Sequence, residues 1–236
     1  MLEIKNISKS FGNKAVLENI SFKIKKGQVA ALLGENGAGK STLLRILSGY
    51  FEADAGVVQF DDTALAENRC DFLQKIGYVQ EISALYGDMR VYDFLCFAAD
   101  LRQAKAVDSA KIIGEAIKAL QLEQVMTQKN ETLSKGFKKR VELAAVLAAK
   151  PEVMLLDEPT EGLDPNQKSI IRQIIKQYAK QHIVLISTHT LEDVEALANK
   201  VLLLHKGKLL FDGNLAAFKN HANNDLSASF RKITAD

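Results

Sequence analysis

Val29-Ala30-Ala31-Leu32-Leu33 runs without a break into Gly34-Glu35-Asn36-Gly37-Ala38-Gly39-Lys40-Ser41-Thr42, and a second apolar segment closes at Leu47. A continuous apolar run of that kind reads as a strand buried on both faces of a mainly parallel sheet. The glycines after it permit backbone conformations that a Cβ hinders. Lys40–Leu47 then reads as a helix, with Gly49 near its C-cap. Between buried strand and helix, such a turn aims backbone N–H groups at phosphate oxygens, aided by the positive end of the helix. Lys40 adds a positive charge for the terminal phosphates, and the Ser41 hydroxyl is placed for Mg2+.

Working outward, two more continuous apolar runs end in polar groups. Val153–Leu156 ends in the adjacent carboxylates Asp157 and Glu158. Carboxylates at the mouth of an apolar strand are costly unless a cation or water occupies the site. Alone the pair could be a strand-end cap or salt-bridge partners; beside a phosphate loop, Asp157 reads as a Mg2+ holder and Glu158 as the group that polarises an attacking water. Ile183–Ile186 runs into Ser187-Thr188-His189. A lone His after a strand is more often structural. Three buried strands that end in functional groups point to one crevice at the carboxyl ends of an open sheet.

The remaining pattern is an alternation of strand and helix, which predicts an α/β core. Leu2–Ile7, Ser21–Ile24 and Gly56–Phe60 read as short strands, bounded by turn signals such as Lys26-Gly27 and Asp61-Asp62. Asn166–Lys180 is the best-marked helix, with Asp164 as N-cap, Pro165 in the first turn and Gln167 three residues on. Its stripe is Ile170, Ile171, Ile174, Ile175 and Tyr178. Leu191–Ala198 follows Thr190 as a further cap. A helical stretch from Asp88 to Gln128 suggests a separate lobe. From about Leu215 the pattern fades, and Asn220–Asp236 reads as frayed or loosely packed.

With 236 residues, 47% of them apolar, the chain can bury a sizeable core. A net charge of +2 gives no footprint for nucleic acid. The two cysteines, Cys70 and Cys96, lack metal-ligand spacing and suit a reducing compartment. No signal-peptide pattern opens the chain, and no apolar run approaches the roughly 18–20 residues that span a bilayer. A soluble, cytoplasmic chain that meets a membrane only through a partner is expected.

Taken in order, these features resemble an ABC (ATP-binding cassette) ATPase over nearly the whole chain. The order is Phe11 near the start, the phosphate loop, Gln80 after Ile76–Val79, the helical lobe, Leu133-Ser134-Lys135-Gly136-Phe137, Asp157-Glu158, Gly162-Leu163-Asp164-Pro165 and His189. The resemblance implies a P-loop NTPase core with a mainly parallel sheet, an antiparallel β subdomain and an inserted helical lobe at about 88–135. It implies one ATPase domain over 1–219 and a tail over 220–236. It assigns Phe11 to adenine stacking and Gly34 through Thr42 to the phosphates. Gln80 goes to the metal and the water, and Glu158 and His189 to catalysis. Ser134 and Gly136 go to a nucleotide held by a second copy. The cofactors implied are ATP and Mg2+.

The commonest form of the signature is LSGGQ. Here Lys135 adds a charge and Phe137 replaces an amide side chain. LSKG-type signatures resemble those of prokaryotic export systems, an analogy of family rather than mechanism. The resemblance implies a head-to-tail, ATP-dependent dimer, either of identical chains or with a similar subunit. That dimer would sit at the cytoplasmic face of the membrane on integral permease subunits, and bind no nucleic acid. A non-transport ABC ATPase acting on ribosomes or DNA is the alternative. The segment 82–90 carries Leu85, Tyr86 and Met89, which would face either a partner or the chain's own lobe.

Overall fold

The computed structural model describes residues 1–61, 63–101 and 106–235. Asp62 of the expected turn, residues 102–105 of the expected lobe and Asp236 lie outside them. The chain opens as an antiparallel pair, β1 (Leu2–Phe11) with β2 (Lys14–Ile24). Both strands outrun the expected Leu2–Ile7 and Ser21–Ile24. Asn6 and Asn19, which interrupt the apolar alternation, sit at positive φ of 53° each beside register shifts. They are bulges that bend the ladder without ending it. After β3 (Val29–Leu33) and helix α1 (Lys40–Leu47), β4 (Ala55–Phe60) pairs with β1 and with the short β5 (Thr63–Ala64). The first sheet thus has the order β2-β1-β4-β5 and is antiparallel throughout.

The second sheet positions the site. Helix α2 (Arg69–Gln74) leads into β6 (Ile76–Val79); β7 (Val153–Asp157), β8 (Ile183–Thr188), β9 (Lys200–His205) and β10 (Lys208–Asn214) follow later in the chain. The order is β10-β9-β3-β8-β7-β6, and only β10 runs antiparallel to its neighbour. Alternate residues of each inner strand enter two different cores. Ala31, Leu33, Met154, Leu156, Val184 and Ile186 face one, and Ala30, Leu32, Val153, Leu155, Ile183 and Leu185 the other. Burial on both faces is why these strands are apolar without alternation.

The first of those cores is covered by helices α3 (Val91–Leu101), α4 (Ala106–Ala119), α5 (Lys135–Ala148), α6 (Pro165–Ala179) and α7 (Leu191–Leu197). Asp164 caps α6 as its pattern predicts, accepting from the Gln167 N–H at 3.0 Å. Ser134 likewise caps α5, accepting from Phe137 N–H at 3.4 Å. Thr190 stands at the N-cap of α7 but makes no side-chain cap. Its hydroxyl donates to Asp193 at 2.9 Å instead, because that carboxylate lies within reach of the same group.

The end of the chain is a correction. After α8 (Leu215–Lys219), the stretch from Asn220 that was expected to fray forms a 3-10 turn and α9 (Leu226–Thr234). Asp225 caps α9, and Leu226, Phe230 and Ile233 pack on the helix-side core. Phe218 is fully buried, edge-on to Phe211 at 5.0 Å between ring centres. Phe218→Ala is expected to cost about 3–5 kcal/mol in chemical denaturation. A loss under about 1 kcal/mol would mean that this end is not docked.

Candidate functional site

Parallel strands place their carboxyl ends along one edge, so the segments after β3, β7 and β8 converge. They meet at a cleft of about 630 Å³ lined by Asn36, Gly37, Lys40, Ser41, Glu158 and His189, among others. The turn after β3 depends on glycine at two positions. Gly37 has φ +81° and Gly39 φ +108°, and a Cβ on Gly39 would stand 2.9 Å from the Val16 carbonyl. Gly39 is also the N-cap of α1, where no side chain caps the helix and no acidic residue stands in the first turn. By contrast α2, α5, α6, α8 and α9 are each capped by a side chain. The start of α1 therefore presents N–H groups and partial positive charge to the cleft, which suits an anion.

Lys40 is buried, and its ammonium donates to the carbonyls of Gly34 at 2.8 Å and Glu35 at 3.2 Å. It stands 3.6 Å from Glu158 Oε1. The same oxygen lies 3.0 Å from His189 Nδ1. Glu158 reaches this position through a left-handed turn, φ +45°, with its N–H donated to Ser187 Oγ at 3.1 Å. A non-glycine residue in that region is strained by about 1 kcal/mol or more, and such strain clusters where side-chain direction matters. Asp157, directly before it, is almost fully buried and accepts from the Ser187 hydroxyl and, at 3.4 Å, from Tyr78. Burial pushes the Tyr78 phenol well above its ordinary range, with Asp157 adding to the effect, so it stays a neutral donor.

A buried network braces the turn after Glu158. Asp193 accepts from Thr160, from Thr190 and from Arg172 Nε at 3.0 Å. Burial works against its charge, and these hydrogen bonds overcome it, holding the carboxyl below its usual range. Sequence reasoning missed Ser187, Asp193 and Arg172. Ser187 alone carried a signal, as a polar residue ending an apolar strand.

The other expected site residues are placed apart from the cleft. Phe11 is exposed at the end of β1, edge-on to Phe51 at 5.3 Å and with the Lys9 ammonium 5.5 Å from its ring centre. Gln80 follows β6 and borders a neighbouring cavity with Arg45 and Tyr78. Ser134 and Gly136 begin α5 and are not among the residues that line the cleft. Gly136 is covered by the carboxamide of Gln167, and Gly162, φ +69°, faces the Lys135 side chain. Phe137 packs against the chain's own core, with the Arg140 guanidinium 4.2 Å from its ring centre. In the basic run Lys138-Lys139-Arg140 that follows, Lys139 and Arg140 are buried on backbone carbonyls. Leu85 and Met89 pack on the chain's own core, whereas Tyr86 and Ile82 are exposed.

Comparison with known proteins agrees with this geometry. A family model described as ABC transporter matches residues 17–161. The linearmycin resistance ATP-binding protein of Bacillus subtilis is 33% identical over 90% of this chain and 69% of its own length. A probable sulfate/thiosulfate import ATP-binding protein of Chlorella vulgaris is 31% identical over 96% of this chain and 97% of its own. The solved ATP-binding subunit of an ABC transporter superposes with a TM-score of 0.92 at 25% identity, covering 99% of both chains.

Proposed function

The chain belongs to the ABC transporter family of ATP-binding proteins, and from that premise we propose that it drives a separate membrane permease as half of a head-to-tail dimer. It is an ABC ATPase and the ATP-binding subunit of a transporter. The single observation that supports the dimer is the separation of Ser134 and Gly136 from the cleft that holds Lys40, Glu158 and His189. A second copy, or a similar subunit, would bring its signature to this cleft and take this signature in return. We assign the ATPase domain to 1–219, with the helical lobe at about 88–135 inserted in it.

In this reading the N–H groups of Gly34 through Thr42 and the Lys40 ammonium hold the phosphates, and Phe11 carries the adenine. The uncapped start of α1 and the glycine cradle fit that anion. Ser41, Asp157 and Gln80 would hold Mg2+, which supplies charge neutralisation on the phosphates. Glu158 takes the proton of the attacking water, and His189, on the same carboxylate oxygen, fixes its direction. Release of Lys40 from Glu158 to the phosphates would leave that carboxylate free to act as base.

Among the described residues no helix is long and apolar enough to cross a membrane. The membrane path is assigned to the permease, and this chain to its cytoplasmic face. Ile82 and Tyr86, exposed on the loop between Gln80 and α3, supply the apolar contact for that partner. Affinity purification from solubilised membranes is expected to recover a polytopic protein with the native chain. Ile82→Glu and Tyr86→Glu should lose it with ATP binding intact. Recovery of ribosomes or DNA-bound proteins instead would move the assignment to a non-transport ATPase. For direction we propose export, on the Lys135-Gly136 form of the signature. Greater retention of the transported compound in cells that carry the pair would overturn it.

A further inference from the structure

Besides Arg140, which donates to the Leu120 carbonyl, two charged side chains of α5 are more than nine-tenths buried and serve no part of the cleft. Lys139, 6% exposed, donates from Nζ to the carbonyls of Gln80 at 2.5 Å and Glu81 at 3.2 Å. Glu142, 8% exposed and one helical turn on, accepts the backbone N–H of Ala84 at 2.6 Å through Oε1. Burial pushes the Lys139 ammonium towards its neutral form, against the pull of Glu142 and Asp157. Burial likewise raises the Glu142 carboxyl, against the bonds from Ala84 and Ser83.

An apolar residue at either position would bury with no such penalty, so the pair carries a specific task. What it holds is a loop with no ladder of its own: residues 80–84 lie between the end of β6 and the turns before α3 and belong to no helix or strand. Two of its carbonyls and one of its N–H groups are satisfied from α5. The same helix is capped by Ser134, so one rigid element carries the signature at its first turn and the loop of Gln80 over its next two.

We propose that Lys139 and Glu142 are positioning residues that lock the Gln80 loop to the signature helix, so that Gln80 and the Ser134–Gly136 face move as one body. The proposal rests on the reading of Gln80 as a group that serves the metal and the water. The nucleotide state felt at Gln80 is thereby tied to the face offered to a second copy, through three hydrogen bonds to the backbone and without contact to ATP.

Steady-state hydrolysis, a double-mutant cycle and hydrogen exchange test it together. Lys139→Met is expected to lower kcat about tenfold, in the range of lost outer-shell partners. KM for ATP should stay within about threefold, and Lys139→Arg should recover part of the rate. On a Gln80→Ala background, Lys139→Met should add less than about twofold, because both changes remove one function. Glu142→Leu should strip exchange protection from the Ala84 amide, whereas Glu142→Gln, which keeps an acceptor, should retain it, and the rest of α5 should stay protected in both. Native kcat in Lys139→Met overturns the proposal, as does a deficit that adds fully to that of Gln80→Ala. Unchanged Ala84 protection in Glu142→Leu overturns the clamp itself. Native turnover in Gln80→Ala overturns the reading of Gln80, and the exchange result then decides the clamp alone.

Discussion

Glu158→Gln is expected to bind ATP as the native chain does and to hydrolyse it about two to three orders of magnitude more slowly, the range lost with a general base. The substitution keeps size and shape, so the left-handed turn at φ +45° and the Ser187 bond to the residue's N–H are retained. The amide oxygen still accepts from a protonated His189 nitrogen, so the direction of the side chain survives. What is lost is basicity, since an amide does not take a proton from water. Lys40 loses the carboxylate 3.6 Å away but keeps the carbonyls of Gly34 and Glu35, so binding does not suffer. Single-turnover hydrolysis beside equilibrium ATP binding reads both halves. Hydrolysis within tenfold of native would remove Glu158 from its assigned role.

Lys40→Ala is expected to fail one step earlier. Loss of one member of a buried, hydrogen-bonded charge pair costs about 2–5 kcal/mol, which is roughly thirty- to several-thousand-fold in the Kd for ATP. Alanine is well tolerated at the start of a helix, so α1 should form. The Glu35 carbonyl that Lys40 ties down is only part-buried, so water can replace the ammonium there. Calorimetric titration with ATP, set against a thermal unfolding curve, separates lost affinity from lost fold. A Kd within about threefold of native would show that the loop N–H groups hold the phosphates unaided.

How much of this was legible before the structure differs by element, and for physical reasons. β3, β7 and β8 were readable because burial on both faces keeps each of them apolar up to its carboxyl end. α6 was readable because Asp164, Pro165 and Gln167 mark its start within four residues. α9 was not, since Leu226, Phe230 and Ile233 are spaced for a helix but diluted by Ser, Arg and Lys. The site divides the same way. Gly34 through Thr42, Asp157, Glu158 and His189 are set by local spacing at strand ends. Asp193, Ser187, Lys139 and Glu142 owe their surroundings to contacts across 20 to 60 residues of chain. A buried ion on a helix looks, in a sequence, like any solvated one. The exposed-looking Leu85 and Met89 show the converse, since a loop close to α3 and α5 can turn its apolar groups inward.

The placement of Ser134 and Gly136 outside their own chain's cleft has a consequence in mass action. For an active site shared between two molecules, turnover per molecule is not a constant of the chain. At low concentration it rises in proportion to the amount of protein, because each completed site needs an encounter. At high concentration it levels off once nearly every chain is paired. In the proposed head-to-tail dimer, dilution alone would therefore silence the ATPase with every residue intact. Two copies held on one permease escape this dependence, since tethering replaces bulk concentration by a local one that reaches about the millimolar range. A chain adrift from its permease would therefore spend little ATP, and assembly on the membrane would itself be the switch that turns hydrolysis on.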